Sequence, residues 1–410
     1  MTTCKRSERE SFPVRSRWKT AFQALTLFSF LLLAGCWDRI EVNDLAIILA
    51  TGIDTKDDQV ELTAQIFIPR KAGSGSGGSG SSEASQSGVT MIRTAVGSNV
   101  AEAMNRLQRK VSRNVFWGHC EVIVISEQAS KQGLRQYLDF FLRYTQIREH
   151  AYVFSTDQKA RDMLALLPPL ERSSAESLRE MSNLKLGTRV TVLNLAQSIE
   201  GPSRSAVLSR MLILKPASGQ STYTSDPYVR GLSLIKEDRY VKTVTEPMSV
   251  GVLMLLNQLN YIIMPVEIEG NEGNVSIRLI SMKTTLTPAI SNNEWSMKIK
   301  VDAKGEVVLN TTSKSIADPQ MNTMVEQQWK EKLTGLAKDA LMLSQKQLKT
   351  DFFGFSGQFR RHYPRKWKAQ KRNWDEIFEN MKVEVRVDTL ITSSGKSTYP
   401  QGVPGQGVQY

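Results

Sequence analysis

The stretch that decides the fold is AIILATGIDTKDDQVELTAQIFI, residues 46–68. Residues 46–53 form an apolar run, and apolar side chains then recur at every second position from Val60 to Ile68. The first pattern is typical of a strand buried on both faces, and the second of a strand with one buried face. The polar residues 54–59 join the two as a turn. The structured part of the chain is therefore predicted to begin with two strands.

Upstream of these strands, a short apolar run ends at a cysteine. Six basic residues precede residues 21–34, which carry no charge, and this order is typical of an export signal. Fourteen residues span about 21 Å as a helix, less than the roughly 30 Å hydrocarbon core of a membrane. Residues 33–36, LAGC, resemble the lipobox of bacterial lipoproteins. We predict removal of residues 1–35, with cleavage between Gly35 and Cys36.

Cys36 would then be the first residue of the mature chain and would carry diacylglycerol through a thioether, together with a palmitate-type acyl chain. Two acyl chains give stable anchoring where one does not. The alternative is an uncleaved apolar segment with an incidental cysteine. The signal also contains Cys4, so Cys120 is the only other cysteine of the mature chain and no intramolecular disulfide is expected.

The mature chain is basic. Removal of the signal lowers the net charge from +12 to +8, because it takes away six basic and two acidic residues. A basic exported protein has nucleic acid, lipid headgroups or acidic wall polymer as conceivable partners. Tethering makes the anionic membrane surface the nearest of these, and we predict no nucleic-acid partner.

Helical and strand patterns alternate through the rest of the chain. We predict an α+β, multi-domain fold with mixed or antiparallel sheets flanked by amphipathic helices. Its N-terminal domain comprises residues 36–202 and includes a flexible Gly/Ser-rich loop at 73–88. Its strands are expected at 46–53, 60–68, 122–125 and 151–154. Its helices are expected at 100–111 and 134–142, and further helical segments follow to about residue 200.

The Gly-Pro pair within residues 200–206 marks the predicted boundary. A C-terminal α+β region then extends over 203–395, with a possible division into two subdomains near 310–318, and residues 396–410 form a flexible tail. Asp318 followed by Pro319 predicts the start of a helix of roughly thirty residues. Strands are expected at 207–214, 231–235, 275–279, 297–303 and 383–387, and a short helix at 250–259.

No pattern in the chain favours an enzyme. The three histidines, His119, His150 and His362, form no metal-binding motif, and there is no G-x-S-x-G, P-loop or G-x-G-x-x-G. His119 beside Cys120 suggests a ligand or nucleophile pair, but a structural role for His119 is the favoured interpretation. We predict no catalytic residue, no metal and no cofactor.

Aromatic and basic residues are interleaved over residues 352–374. One interpretation is a surface for lipid headgroups or for a membrane partner. The other is that the aromatic rings pack in a core against the long helix while the lysine and arginine head groups reach solvent. We favour the second.

Three separated segments carry a family resemblance: GCWDRIEVNDLAIILATGID (35–54), WGHCEVIVISEQASKQGLRQYLDFFLR (117–143) and DFFGFSGQFRRHYPRKWKAQKRNWDEIF (351–378). Together they resemble the Ger(x)C family of spore germination lipoproteins, the C subunits of nutrient germinant receptors. The resemblance extends from Cys36 to about Gly395. The insertion at 73–88 and the Gly/Pro-rich tail depart from the family pattern and leave these segments intact.

The resemblance implies a lipoprotein on the outer face of the spore inner membrane, where it assembles with membrane-embedded A and B subunits. It also implies an α+β fold in more than one domain. In the family, the nutrient pocket is attributed mainly to the B subunit, so no ligand-binding residue is assigned here. The alternative is a lipoprotein that captures a small molecule itself, which a deep pocket lined by aromatic residues and one or two convergent charges would support.

Overall fold

A computed structural model describes residues 22, 44–69, 89–219, 221, 223–269, 272–393 and 395. Gly35, Cys36, the loop at 73–88 and the tail at 396–410 lie outside the described residues. The predictions made for them therefore stay predictions. No helix in the described part of the chain is long and apolar enough to span a bilayer.

The described strands form two mixed sheets, and the first contains nine strands. Their order is β3-β2-β1-β5-β6-β7-β8-β9, and β4 pairs with β1. β1, β5, β6 and β7 are parallel, whereas the outer pairs are antiparallel. The strands are β1 Leu45–Lys56, β2 Gln59–Phe67, β3 Thr90–Gly97, β4 Asn114–Phe116, β5 Val122–Ser126, β6 Tyr152–Thr156, β7 Ser205–Ile213, β8 Pro227–Lys236 and β9 Arg239–Val244.

The first sheet is covered on both faces. In β5, Val122 and Val124 belong to one buried cluster, while Ile123 and Ile125 belong to another. Successive residues of a strand point to opposite faces, so an all-apolar strand is what a two-sided core requires. One face packs against α1 Val100–Gln108, α2 Glu127–Gln132, α3 Arg135–Arg143 and α6 Val192–Glu200, and the other against α4 Ala160–Leu164 and α5 Ser174–Asn183.

The second sheet has four strands in the order β10-β11-β12-β13. The first three are antiparallel, and β13 is parallel to β12. Their bounds are β10 Ile263–Glu267, β11 Asn274–Ser291, β12 Glu294–Asn310 and β13 Lys382–Ser393. The helices of this region are α7 Met248–Leu255, α8 Pro319–Met342, α9 Phe355–His362, α10 Pro364–Gln370 and α11 Trp374–Asn380, with a π-helical turn at Leu343–Gln347 and a 3-10 turn at Lys371–Asn373.

The long helix begins where the sequence predicts. Asp318 is its N-cap and accepts a hydrogen bond from the Gln320 amide at 2.9 Å, and Pro319 occupies the first helical position. Its apolar face lies in one cluster with the inward side chains of β12, Met297, Ile299 and Val301. The outward side chains of β12 include exposed lysines, so the second sheet has one covered and one open face.

The predicted α+β class is confirmed, and so are the predicted strands and helices at the positions above. β11 and β12 are much longer than predicted, because they form one hairpin closed by Asn292 and Asn293. Both asparagines have positive φ, 48° and 63°, as a tight hairpin turn requires. The predicted division at residue 202 falls between α6 and β7, and β7 joins the same sheet as β1 to β6. That division stays a prediction.

Candidate functional site

His119 and Cys120 occupy different environments and do not form a reactive pair. Cys120 is fully buried, and its Sγ lies 3.4 Å from Oγ1 of Thr51. Burial raises the pKa of the Cys120 thiol to about 11, so the thiol is neutral near pH 7 and a poor nucleophile. His119 lies exposed in the turn before β5. Within the described residues, no group of three or more His, Cys, Asp or Glu side chains has a metal-binding arrangement.

The aromatic residues of segment 352–374 are buried in the core, as the favoured interpretation predicts, apart from the half-buried Tyr363 at its margin. Phe359 is fully buried and packs with its ring centroid 4.7 Å from that of Trp295 on β12 and 5.8 Å from that of Trp374. Trp374 in turn lies 5.1 Å from Trp367. These rings share one cluster with the apolar face of α8. The segment therefore forms a rigid support for the cations that it carries.

Asp351 fixes the start of this segment. Its buried carboxylate accepts hydrogen bonds from the amides of Phe353 at 3.2 Å, Phe355 at 3.0 Å and Ser356 at 2.8 Å. Burial raises the pKa of Asp351, and the three backbone hydrogen bonds oppose that shift. The carbonyl of Asp351 also accepts a hydrogen bond from the Ser205 hydroxyl at 2.5 Å. Because Ser205 begins β7, the segment is tied directly to the first sheet.

The basic residues of the segment all face solvent. These are Arg360, Arg361, Arg365, Lys366, Lys368, Lys371 and Arg372. None of them makes an ion pair within the described residues, although sixteen such pairs form elsewhere among them. No acidic residue occurs between Asp351 and Asp375. The segment is thus a strongly positive surface without ion pairs in the part of the chain that the structure describes.

Part of this surface lines a groove of about 590 Å³, which we call the basic groove. Its walls are Glu200, Gly201, Pro202, Arg204, Arg360, Trp367, Lys371, Arg372, Trp374 and Asp375. Arg204 is paired with Asp375 at 3.4 Å and with Glu237 at 3.6 Å. Arg360, Lys371 and Arg372 are the unpaired cations of the groove. The basic segment is visible in the sequence. The contribution of residues 200–204 to the groove is not, because only the fold brings them next to the segment.

A second groove, of about 600 Å³, lies between β8, α7 and the start of β10; we call it the tyrosine groove. Its wall is mainly apolar, and two tyrosines, one arginine and one glutamate line it: Tyr228, Tyr261, Arg230 and Glu246. Gly231 has a φ of +92° there, and a side chain at this position would come within 2.3 Å of the Val244 carbonyl oxygen. Sequence reasoning missed this groove because four separate segments of the chain form it, and none has a motif of its own.

Two family models match the chain, one after the other. Residues 38–213 match the model described as "Spore germination protein N-terminal domain", and residues 230–395 match "Spore germination B3/ GerAC like, C-terminal". Together these matches cover most of the described residues. The resemblance predicted from the three sequence segments is confirmed.

Individual relatives agree with these matches. The chain is 26% identical over 400 residues to "Spore germination protein KC" of Bacillus subtilis (strain 168). The alignment covers 93% of this chain and 97% of that protein. It is 27% identical over 383 residues to "Putative spore germination protein YfkR" of the same strain, covering 92% and 97%. The crystal structure of the GerBC protein aligns with a TM-score of 0.54 at 19% identity, over 84% of this chain and 97% of that one. This likeness shows a common fold.

Proposed function

Because the chain belongs to the Ger(x)C family of spore germination proteins, we propose that it is the lipid-anchored C subunit of a nutrient germinant receptor. In this role it is a non-enzymatic subunit that the receptor needs for its response to nutrients and for the start of germination. Its place is the outer face of the spore inner membrane. Its partners there are the membrane-embedded A and B subunits and the anionic membrane surface.

The observation that carries this proposal is where the family match begins. The first family model starts at residue 38, two positions after Cys36. The segment before it has the basic and apolar regions of an export signal and ends in LAGC. A family match that begins two positions after the predicted anchor suits a subunit held at the membrane surface.

The chemistry of the described residues supports an interaction role. The Cys120 thiol is buried and has a raised pKa, whereas the His119 side chain is exposed to solvent. The relatives are described as spore germination proteins, with no reaction in those names. The features left for function are surfaces, namely the basic groove and the tyrosine groove.

Replacing Cys36 by alanine tests the proposal in spores. We expect Cys36→Ala to abolish acyl labelling, to release the protein from the spore membrane fraction, and to remove the response to the cognate nutrient. Cys4→Ala is the matched control, because it lies in the same signal and is expected to leave all three readouts unchanged. Normal germination of Cys36→Ala spores that lack acyl labelling would contradict the need for the anchor.

The tyrosine groove favours a second candidate function, capture of a small molecule. Two aromatic rings and two opposite charges line a mainly apolar wall, the combination that small-ligand sites commonly use. Titration calorimetry of the protein with amino acids and sugars tests this function. Binding that Tyr261→Ala weakens at least tenfold would support it. No detectable heat with any nutrient that triggers the spores would exclude it for those ligands.

A further inference from the structure

The basic groove lies at one identifiable edge of the first sheet. β1, β5, β6 and β7 run parallel, with Ala50 opposite Val122 and Ser155 opposite Arg210. The amino ends of these four strands therefore share one edge. Arg204, which lines the groove, directly precedes β7 at that edge.

The chain enters the sheet at the same edge. In the order of the sheet, β1 is three strand positions from β7, a distance of about 14 Å at about 4.8 Å per strand. Cys36 lies nine positions before Leu45, the first residue of β1, and an extended chain of that length reaches at most about 30 Å. A lipid on Cys36 would hold this edge, and with it the groove, near the bilayer surface.

The charge of the groove matches such a surface. Arg360, Lys371 and Arg372 are exposed and unpaired, while Arg204 is balanced by its two carboxylate partners. Trp367 and Trp374 form the apolar wall behind the cations and are themselves buried. The cations are therefore presented on a fixed support. Among the described residues no carboxylate forms an ion pair with these three, although Glu200 and Asp375 also line the groove.

From these observations, we propose that the basic groove contacts anionic lipid headgroups of the membrane on which the protein is anchored. This inference rests on the proposed lipid anchor, since the anchor brings the shared edge to the bilayer. Lipid attachment provides the affinity, and the groove sets the orientation of the protein on the surface. An acidic protein surface is the other class of partner, and the test below separates it from lipid.

The groove can be tested without the lipid. Because Ala46–Tyr410 forms a compact unit of its own, the test uses the chain from residue 36 with Cys36→Ala, which cannot be acylated. Partitioning is measured by sedimentation with vesicles of phosphatidylcholine alone or with 30% phosphatidylglycerol. We expect binding only to the anionic vesicles, and its loss in 0.5 M NaCl.

The decisive comparison uses two triple variants of equal charge. Each cation near an anionic surface contributes about fivefold to partitioning, so Arg360→Gln/Lys371→Gln/Arg372→Gln is expected to weaken binding about a hundredfold. The control is Lys283→Gln/Lys298→Gln/Lys304→Gln, which removes three exposed and unpaired lysines from the open face of the second sheet. We expect the control to change binding by less than about threefold.

Several outcomes would overturn the proposal. Equal losses in the two triple variants would show that only net charge matters. Absence of binding to anionic vesicles, or equal binding to neutral ones, would exclude headgroup recognition by the groove and would favour a protein partner. Acyl labelling in spores tests the anchor on the full chain, whereas the vesicle experiment tests the groove on a chain that cannot be acylated. A failure of the anchor and a failure of the groove are therefore separate results.

Discussion

The two sheets of this protein bury their side chains in different ways. β5 of the first sheet is buried at every position, with Val122 and Ile123 in clusters on opposite faces. β13 of the second sheet alternates, with Val387 buried and Lys382 and Arg386 exposed. The first sheet is thus a closed core, whereas the second keeps an open, charged face. The two candidate binding surfaces lie mainly on the second half of the chain and at its junction with the first sheet.

The largest expected effect is on the aromatic core that supports the basic segment. Phe359→Ala removes a fully buried ring that contacts Trp295 and Trp374, so we expect the free energy of unfolding to fall by about 3–5 kcal/mol. Urea denaturation followed by tryptophan fluorescence measures this loss. Tyr261→Ala, at an aromatic residue that is 61% exposed, is the control and should cost less than about 1 kcal/mol. A loss below 1 kcal/mol for Phe359→Ala would mean that the stability of the protein does not depend on this aromatic core.

Each half of the protein also buries one aspartate at the start of a helix. Asp351 accepts three backbone amides, and Asp54 accepts the amides of Ala160 at 2.9 Å and Arg161 at 3.0 Å. Alanine at either position leaves these amides unpaired, so we expect costs of about 3 kcal/mol for Asp351→Ala and about 2 kcal/mol for Asp54→Ala.

The same denaturation experiment ranks the two aspartate variants, and the corresponding asparagine variants are the controls because they keep one acceptor oxygen. A larger loss for Asp54→Ala than for Asp351→Ala would contradict the comparison. It would show that the number of backbone amides that donate to the aspartate does not determine the loss in the free energy of unfolding.

Cys120 gives the first sheet a pH dependence in the alkaline range. The pKa of this thiol is about 11 in the folded protein and about 9 when unfolded, so the unfolded state loses its proton first. The stabilisation is complete below pH 9 and is lost as pH rises through 11, by about 2 kcal/mol at pH 11. Comparison of the wild type with Cys120→Ala between pH 8 and 11 isolates this effect. Parallel pH curves for the two proteins would contradict it.

The smallest expected effect belongs to the basic groove. Arg360, Lys371 and Arg372 are exposed and unpaired, so their combined replacement by glutamine should change the free energy of unfolding by less than about 0.5 kcal/mol. Thermal unfolding with circular dichroism detection is sufficient to test this. A loss above 1 kcal/mol would contradict this expectation and would show that these cations stabilise the fold.

Local patterns in the sequence predicted much of this fold. The apolar run at 46–53 and the alternation at 383–387 indicate strands without reference to the rest of the chain, and Asp318-Pro319 marks a helix start by capping chemistry alone. Four strands, β3, β4, β9 and β10, were missed because their local patterns are short or mixed. Pairing with neighbouring strands stabilises them. The Asn292-Asn293 turn carried a usable signal for the long hairpin, since asparagine tolerates positive φ.

The candidate surfaces were less accessible to sequence reasoning. Residues 352–374 stand out by composition, and their division into buried rings and exposed cations follows from the physical cost of burying charge. The meeting of Arg204 with Arg360 depends on how β7 and α9 are placed by the fold, which no local pattern encodes. The tyrosine groove is a still clearer case, because its residues come from four separate segments.

The central claim is that the mature protein begins at a lipidated Cys36. The measurement that tests it most directly is mass spectrometry of the amino-terminal peptide of the protein isolated from spore membranes. Our account predicts a peptide that starts at Cys36 and carries the mass of a diacylglyceryl group on its sulfur. An amino terminus upstream of Gly35, or a peptide that starts at residue 36 without a lipid, would contradict it.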